Sequence, residues 1–160
     1  ALLGRAAEAM DRALAEAWAG REPGLPLASP DELLTLASIV EKETGKASER
    51  PEIAGVFVRR LRLGMRLQPD PTVIYGLGAA FDGNLRRRDL RTDTPFNTYT
   101  RAGLPPHAIA LPGRAALQAA ARPAPGETLF FVSRGDGSHH FSRTYAEHSE
   151  AVRRYQLGGR

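Results

Sequence analysis

The sequence predicts an α+β domain in which several helices pack with one small antiparallel β-hairpin. Helical patterns outnumber strand patterns and are not interleaved with them, and this order favours α+β over α/β architecture. Two β-rich runs, Thr128–Ser133 and His139–Ser142, are separated by the turn sequence Arg134–Ser138. With 160 residues, of which 42% are hydrophobic and 25% charged, the chain has the size and composition of a single globular domain.

The N-terminal part of the chain predicts two helices joined by a linker. Leu2–Trp18 carries apolar residues at helical spacing, and the Pro- and Gly-containing stretch Gly20–Ala28 predicts the linker. Ser29–Glu32 has the residues of a capping box, with proline at the first helical position. We therefore expect the second helix to begin there and to run to about Thr44, where Gly45 supplies a stop.

Two further helices are predicted in the middle of the chain. One follows from Pro51 to Gly64, with its apolar residues inward and its arginines expected to face solvent: Arg59, Arg60 and Arg62. Asp70 is expected to cap a short helix that begins at Pro71 and is closed by Gly76.

The stretch Gly76–Pro112 has little periodicity and many Gly, Pro, Asp and Asn residues. A loop region of this length inside a small domain is usually functional. After it, Arg114–Ala121 predicts a helix, and Thr144 with Glu147 predicts the start of the last one.

Composition excludes several classes of site. The chain has no cysteine, so disulfides, thiolate nucleophiles and cysteine-based metal sites are ruled out. A net charge of +4 permits attraction to nucleic acid, phospholipid or cell-wall polymer. No apolar run reaches the roughly 18 residues of a membrane span. Because the sequence opens at Ala1 inside a predicted helix, we expect it to be part of a longer protein.

The second helix carries the candidate catalytic residue. At about 100° per residue, four of its residues form a solvent face: Asp31, Thr35, Ser38 and Lys42. The opposite, core-facing stripe consists of Leu33, Leu36, Ala37, Val40 and Thr44. Glu41 and Glu43 lie on the two flanks of this stripe, and Glu43 follows the bulkier apolar residues by one turn.

Of the two glutamates, Glu43 is thus the one that we expect to pack against more apolar side chains. Desolvation raises a carboxyl pKa, and the negative end of the helix dipole acts in the same direction. A general acid that works near neutral pH needs a pKa of about 6–7. Periodicity alone leaves an alternative open, in which a glutamate at the boundary simply extends its carboxylate to water.

Several segments resemble one enzyme family. LASIVEKETG (Leu36–Gly45) resembles the helix of lytic transglycosylases in which the catalytic glutamate precedes a small hydroxyl residue. Three further segments are similar to the endolytic murein transglycosylase (YceG-like) family, in the same order and with similar spacing: Arg60–Gly78, Thr94–Gly113 and Leu129–His148. The resemblance covers nearly everything after Ser29, so we expect residues 1–28 to form an N-terminal helix and linker and residues 29–160 the catalytic domain.

The resemblance implies a lysozyme-like active-site helix with Glu43 as the acid/base, and Glu41 is the rival assignment. Thr44 stands where the wider superfamily usually has serine, and it offers the same hydroxyl group. Substrate-binding roles are implied for six polar and aromatic residues: Gln68, Asp70, Thr72, Tyr75, Asn97 and Tyr99. By residue type alone, several of these have structural alternatives, such as a helix cap for Asp70.

The implied substrate is the peptidoglycan glycan strand. It would be cut between N-acetylmuramic acid and N-acetylglucosamine to leave a 1,6-anhydro sugar, with no cofactor and no metal. A full-length family member would carry an N-terminal membrane anchor. That anchor would place this domain on the outer, periplasmic face of the bacterial cytoplasmic membrane, with cell-wall synthesis proteins among its partners.

The sequence also permits other interpretations of the function. A conventional glycosidase would pair Glu43 with a second carboxylate, Asp70. A nucleic-acid-binding module would suit the positive charge, but we find no binding motif and expect no nucleic-acid partner. A Schiff-base lyase would need a lysine, and Lys42 is predicted to face solvent. His139 and His140 are adjacent strand residues that point to opposite faces, so they predict no shared metal ion.

Overall fold

The computed structural model describes residues 2–157 and confirms the α+β class. Within that range it contains seven α-helices and one two-stranded sheet. Their bounds are α1 (Leu2–Ala19), α2 (Pro30–Glu43), α3 (Arg50–Leu63), α4 (Asp70–Leu77), α5 (Arg87–Arg91), α6 (Arg114–Ala121), β1 (Phe130–Ser133), β2 (His139–Ser142) and α7 (Tyr145–Val152). Short 3₁₀ segments at Ala47–Glu49 and Gly78–Ala80 and a π-helical turn at Arg153–Leu157 complete the described regular structure.

The core lies between α2, α3 and α6, with α1 against one side. Its largest fully buried side chains include Leu33, Leu36, Ile39, Ile53 and Leu117. Burying each such side chain is worth about 1.5–3 kcal/mol. Ala13 and Ala17 of α1 belong to the same cluster, because alanine lets this helix approach closely. The boundary after residue 28 stays a prediction.

Helix α2 begins as the sequence predicts. The Ser29 hydroxyl accepts a hydrogen bond from the Glu32 amide at 3.3 Å, and Pro30 occupies the first helical position. The helix ends at Glu43, because Thr44 adopts an extended backbone with φ −142°. Glu43 is therefore the last helical residue and projects where the chain changes direction.

The predicted solvent face of α2 is wrong at two positions. Thr35 and Ser38 are buried, while Lys42 is exposed. The Ser38 hydroxyl donates to the Thr35 carbonyl at 2.6 Å and accepts from the Ile109 amide at 3.0 Å. The loop around Ile109 covers this side of α2, and a periodicity calculation on one helix cannot include a distant loop.

Helix α3 ends where the sequence predicts, but one of its arginine side chains has a different orientation from the predicted one. It ends at Gly64 as predicted, with φ 71°, a left-handed conformation that glycine adopts without strain. Arg62 is exposed, but Arg60 is only 7% exposed, so its predicted outward orientation is wrong. Its hydrogen-bond partners are carbonyl groups that the sequence pattern does not reveal.

Helix α4 differs from its predicted bounds. Asp70 is the first helical residue rather than the cap, the cap position is Pro69, and the helix continues to Leu77. Gly76 lies inside the helix and does not close it. A Cβ atom there would collide with the Thr94 side chain, so glycine permits the following loop to pack against α4.

The hairpin follows its predicted positions closely. Strands β1 and β2 are antiparallel, with Phe130 opposite Ser142 and Ser133 opposite His139. Thr144 caps α7 by accepting a hydrogen bond from the Glu147 amide, also as predicted. Within residues 2–157, no helix combines the length and the apolar character that a membrane span requires.

Candidate active site

A cleft of about 330 Å³ opens at the C-terminal end of α2. One wall comes from α3 and the segment that leads into α4, and the other comes from the hairpin and α7. Its lining residues are Glu43, Phe57, Arg60, Leu67, Gln68, Pro69, Asp70, Tyr99, Phe131, Val132, Ser133, His139, His148, Val152 and Gln156. The cleft thus joins parts of the chain that are far apart in sequence.

Glu43 projects into this cleft from the last position of α2. Burial raises the pKa of Glu43 from 4.5 to about 7, and the nearby charge of Asp70 adds to the effect. The C-terminal end of the helix dipole also disfavours a negative charge at this position. Among the described residues its carboxyl group has no hydrogen-bond donor and no ion-pair partner. Glu43 can therefore hold a proton at neutral pH and release it.

Asp70 and Tyr99 form a hydrogen-bonded pair in the same cleft. The Tyr99 hydroxyl donates to Asp70 Oδ1 at 2.8 Å. Burial, the charge of Asp70 and this hydrogen bond all raise the pKa of the Tyr99 hydroxyl well above its usual range. Tyr99 therefore stays neutral, and Asp70 supplies the negative charge that acts on Glu43.

Gln68 has the one left-handed backbone conformation of a non-glycine residue in residues 2–157, with φ 60°. Its side chain is exposed at the cleft. Such a conformation costs of order 1 kcal/mol or more and is concentrated at functional sites. The observed strain therefore supports the predicted role of Gln68 in contacting ligand.

The other three predicted binding residues do not line the cleft. Thr72 is fully buried, and its hydroxyl bonds the Pro69 carbonyl and the Thr98 hydroxyl. Asn97 is also fully buried, and its amide group organises the loop through four backbone partners: Leu90, Thr92, Tyr99 and Thr100. Tyr75 is 42% exposed and packs edge-on against Phe96 and His107. Their positions favour roles in shaping the loop that carries Tyr99.

Glu41 lies on the other side of α2, where the fold occupies its carboxylate. Oε1 accepts a hydrogen bond from the Gly113 amide at 2.6 Å, and Oε2 lies 3.7 Å from Arg50 Nη2. Gly113 is the N-cap of α6, where backbone amides are free and a negative charge is favourable. Glu41 is thus built into the contact between two helices and does not line the cleft.

The cleft also contains three basic side chains that were not selected as site residues from the sequence: Arg60, His139 and His148. His139 Nδ1 lies 3.1 Å from Glu49 Oε1, and its backbone amide donates to Glu49 Oε2. Burial acts to raise the pKa of Glu49, but the hydrogen bonds from His139 outweigh it and lower the pKa. This pair ties the start of β2 to the segment after α2. A signal was available, since a polar residue in an apolar strand often has a specific partner.

His140 faces the opposite side of the strand from His139, and its ring lies 5.7 Å from the Tyr155 ring between centroids. Across the described part of the chain, no three His, Asp or Glu side chains are grouped so that they could ligate a metal ion.

The fold and the cleft together resemble a known class of site. A glutamic acid with a pKa of about 7, in a cleft that also contains a second carboxylate, is an arrangement that enzymes which cleave glycosidic bonds also use. The particular family follows from comparison with known sequences. The chain belongs to the YceG-like family, whose model matches residues 1–154.

Individual proteins similar to this chain carry one name. The chain is 40% identical over 127 residues to the endolytic murein transglycosylase of Bacillus subtilis, and the match covers 79% of the chain and 35% of that protein. It is 32% identical to the endolytic murein transglycosylase of Streptococcus pneumoniae strain D39, and this match covers 76% of the chain and 23% of that protein. The chain therefore spans about a third or less of the length of these relatives.

A solved structure confirms the fold. The crystal structure of a yceG-like protein from Listeria monocytogenes superposes with a TM-score of 0.72 at 40% sequence identity. The match covers 77% of this chain and 40% of the Listeria chain.

Proposed function

We propose that this chain is the catalytic domain of an endolytic peptidoglycan lytic transglycosylase, with Glu43 as its single acid/base. The observation that carries the proposal is the position of Glu43 in the cleft, where burial raises its pKa to about 7. Membership of the YceG-like family and similarity to two endolytic murein transglycosylases support the substrate class.

In the first step Glu43 acts as an acid. Its protonated carboxyl donates a proton to the glycosidic oxygen between N-acetylmuramic acid and N-acetylglucosamine as the C1–O bond breaks. A carboxyl group with a pKa of about 7 is well suited to this step, because it is protonated in half or more of the molecules up to neutral pH. The departing sugar leaves with a new hydroxyl group.

In the second step the same side chain acts as a base. The C6 hydroxyl of the muramic acid attacks C1, and the Glu43 carboxylate accepts its proton, so the product is a 1,6-anhydro sugar and no water is consumed. An internal nucleophile has an effective molarity of about 10⁵–10⁸ M, which removes the need for a second carboxylate to activate water. Glu43 returns to its protonated form.

Asp70, Tyr99 and Gln68 support these steps by their positions. The negative charge of Asp70 lies close enough to Glu43 to raise its pKa and would also stabilise positive charge that develops at C1. Tyr99 holds Asp70 in place through its 2.8 Å hydrogen bond. Gln68, exposed at the cleft, has the donor and acceptor atoms that bond sugar hydroxyl and acetamido groups.

Mass spectrometry of digested peptidoglycan tests the proposal. Wild type should release fragments that end in anhydromuramic acid, Glu43→Gln should release essentially none, and Glu41→Gln should retain the activity. Glu41→Gln is a matched control because it changes the same residue type two positions earlier on α2. Full activity in Glu43→Gln with loss in Glu41→Gln would reverse the assignment.

One observation favours a second candidate, a two-carboxylate hydrolase. Asp70 lies in the cleft with Glu43 and influences its pKa, as paired glycosidase carboxylates do. A hydrolase would release reducing-end muramic acid and incorporate oxygen from labelled water. The transglycosylase proposal predicts anhydro ends without label, so the product distinguishes the two.

The cellular location and partners follow from the substrate. Peptidoglycan lies outside the cytoplasmic membrane, so a protein that cuts it has to act on the periplasmic side. We therefore propose that the full-length protein is anchored there and works beside cell-wall synthesis proteins. Protease accessibility of the full-length protein in spheroplasts tests this placement, since protection from external protease would contradict it.

A further inference from the structure

The cleft contains a buried guanidinium group that the fold uses only in part. Arg60 is 7% exposed. Its Nε donates to the Leu129 carbonyl at 2.7 Å, and its Nη1 donates to the carbonyls of Arg66 at 2.9 Å and Leu67 at 3.2 Å. Among the described residues Nη2 has no hydrogen-bond partner, and it is not one of the atoms sealed from solvent. One edge of the group is therefore free at the cleft.

Arg59, the preceding residue, differs from Arg60 because all of its guanidinium nitrogens are hydrogen-bonded within the protein. Arg59 donates from Nε to the Thr128 carbonyl, from Nη1 to the Ala124 carbonyl and from Nη2 to the Thr128 hydroxyl. All three nitrogens of Arg59 thus hold the segment before β1, and Arg59 does not line the cleft. Arg60 holds neighbouring carbonyls in the same way but leaves Nη2 unused.

The guanidinium of Arg60 has no anionic partner within the described residues. No carboxylate lies within ion-pair distance of it there, and its partners are three carbonyls and the ring of Phe130, whose centroid lies 5.0 Å from the guanidinium carbon. Burial lowers the pKa of Arg60. Burial and the charge of Arg60 lower the pKa of His148, so that side chain contributes no further positive charge at neutral pH. A buried charge is costly unless an anion or several donors and acceptors offset it.

We propose that Arg60 forms a carboxylate subsite of the cleft, with its free Nη2 edge donating to a carboxylate oxygen of the substrate. This inference rests on the proposed function, because it takes the ligand to be a peptidoglycan glycan. Such a glycan offers carboxylates from two sources: the lactyl group of muramic acid where the peptide has been removed, and the peptide itself where it is present. Oligomers of N-acetylglucosamine offer none.

Modified ligands test the subsite while Arg60 is left unchanged. Calorimetric titration uses the Glu43→Gln variant, which should bind glycan without cutting it. The affinities are compared within two pairs of ligands: peptide-free glycan with its amidated form, and peptide-bearing glycan with its amidated form. We expect one free-carboxylate ligand to bind about tenfold or more tightly than its amide, the ratio expected for one charge-assisted hydrogen bond. The pair that shows the difference identifies the source of the carboxylate.

A matched pair of variants assigns the effect to Arg60. In the same background, Arg60→Gln should abolish the preference for free carboxylate, while Arg59→Gln should retain it although it removes an equal guanidinium from the same helix. Affinity for the neutral N-acetylglucosamine oligomer should change little in either variant. If Arg60→Gln does not fold, as circular dichroism would show, equal affinity for free and amidated ligands would still overturn the subsite.

The possible failures are distinguishable. Equal affinity for free and amidated glycans in both pairs, with anhydro ends still produced by wild type, would overturn the subsite and leave the proposed function intact. A preference that persists in Arg60→Gln would overturn it as well. If wild type neither bound glycan nor produced anhydro ends, the proposed function and this inference would both be wrong.

Discussion

Residues that line the cleft differ from residues of the same type elsewhere in how the fold bonds their side chains. Away from the cleft, Glu41 is bonded to the Gly113 amide and Arg59 to the segment before β1. In the cleft, Glu43 has no described partner for its carboxyl group, and Arg60 keeps a free edge. In these two pairs the fold bonds the side chains of Glu41 and Arg59 within the protein and leaves Glu43 and one edge of Arg60 available, where we propose that glycan binds.

The largest expected effect is on catalysis. Glu43→Gln should lower the rate of glycan cleavage by about 10²–10⁴-fold, the contribution of a positioned acid/base. Glu41→Gln should stay within a few-fold of wild type, because Glu41 contacts α6 rather than the cleft. The rate of formation of anhydro ends measures the activity of both variants. Similar losses of activity in the two variants would contradict the different roles of Glu43 and Glu41.

The next effect is on stability, with a definite pH dependence. The folded pKa of Glu43 is raised from 4.5 to about 7, so the unfolded state ionises first and stability falls as pH rises from about 4.5 to 7. A shift of this size corresponds to about 3 kcal/mol. Glu43→Gln, which cannot ionise, should therefore be more stable than wild type by up to about 3 kcal/mol at pH 8 and nearly equal to it at pH 4.

Urea unfolding at the two pH values measures this difference. If Glu43→Gln lost stability at pH 8, the carboxylate would be stabilised by the fold, and Glu43 would belong with the structural residues.

Glu41→Gln should change stability in the other direction. The amide side chain can still accept from Gly113, but it loses the charge that favours this bond and the contact with Arg50. We expect a loss of about 1 kcal/mol at pH 8, measured by the same urea unfolding. An increase in stability would show that the contacts of Glu41 with Gly113 and Arg50 do not stabilise the fold.

The smallest effect concerns the neighbour of Glu43. Asp70→Asn removes the charge that, after burial, raises the pKa of Glu43. The pH above which activity falls should therefore move downward, with the basic limb of the kcat profile still present because burial persists. An unchanged or upward-shifted limb would show that Asp70 does not act on Glu43 electrostatically.

Most of the fold could be predicted from the sequence because its signals are local. The cap at Ser29, the stop at Gly64, the helix Arg114–Ala121 and the hairpin each depend on residues close together in the chain. The placement of Ser38 and Arg60 could not be predicted, since their partners Ile109 and Leu129 are about 70 residues away.

The candidate site was predictable to the extent that family resemblance supplied it. Resemblance selected Gln68, Asp70 and Tyr99, which line the cleft, but it also selected Thr72 and Asn97, which are buried with internal hydrogen bonds. A family segment contains both residues that touch ligand and residues that hold the loop, and only three-dimensional contacts separate them.

The central claim is that Glu43 carries its proton near neutral pH because the cleft desolvates it. A ¹³C NMR titration of the glutamate side-chain carboxyls, with Glu43 assigned by comparison with Glu43→Gln, measures this directly. The account predicts a midpoint of about 7 for Glu43. A midpoint at or below the ordinary value of 4.5 would contradict it.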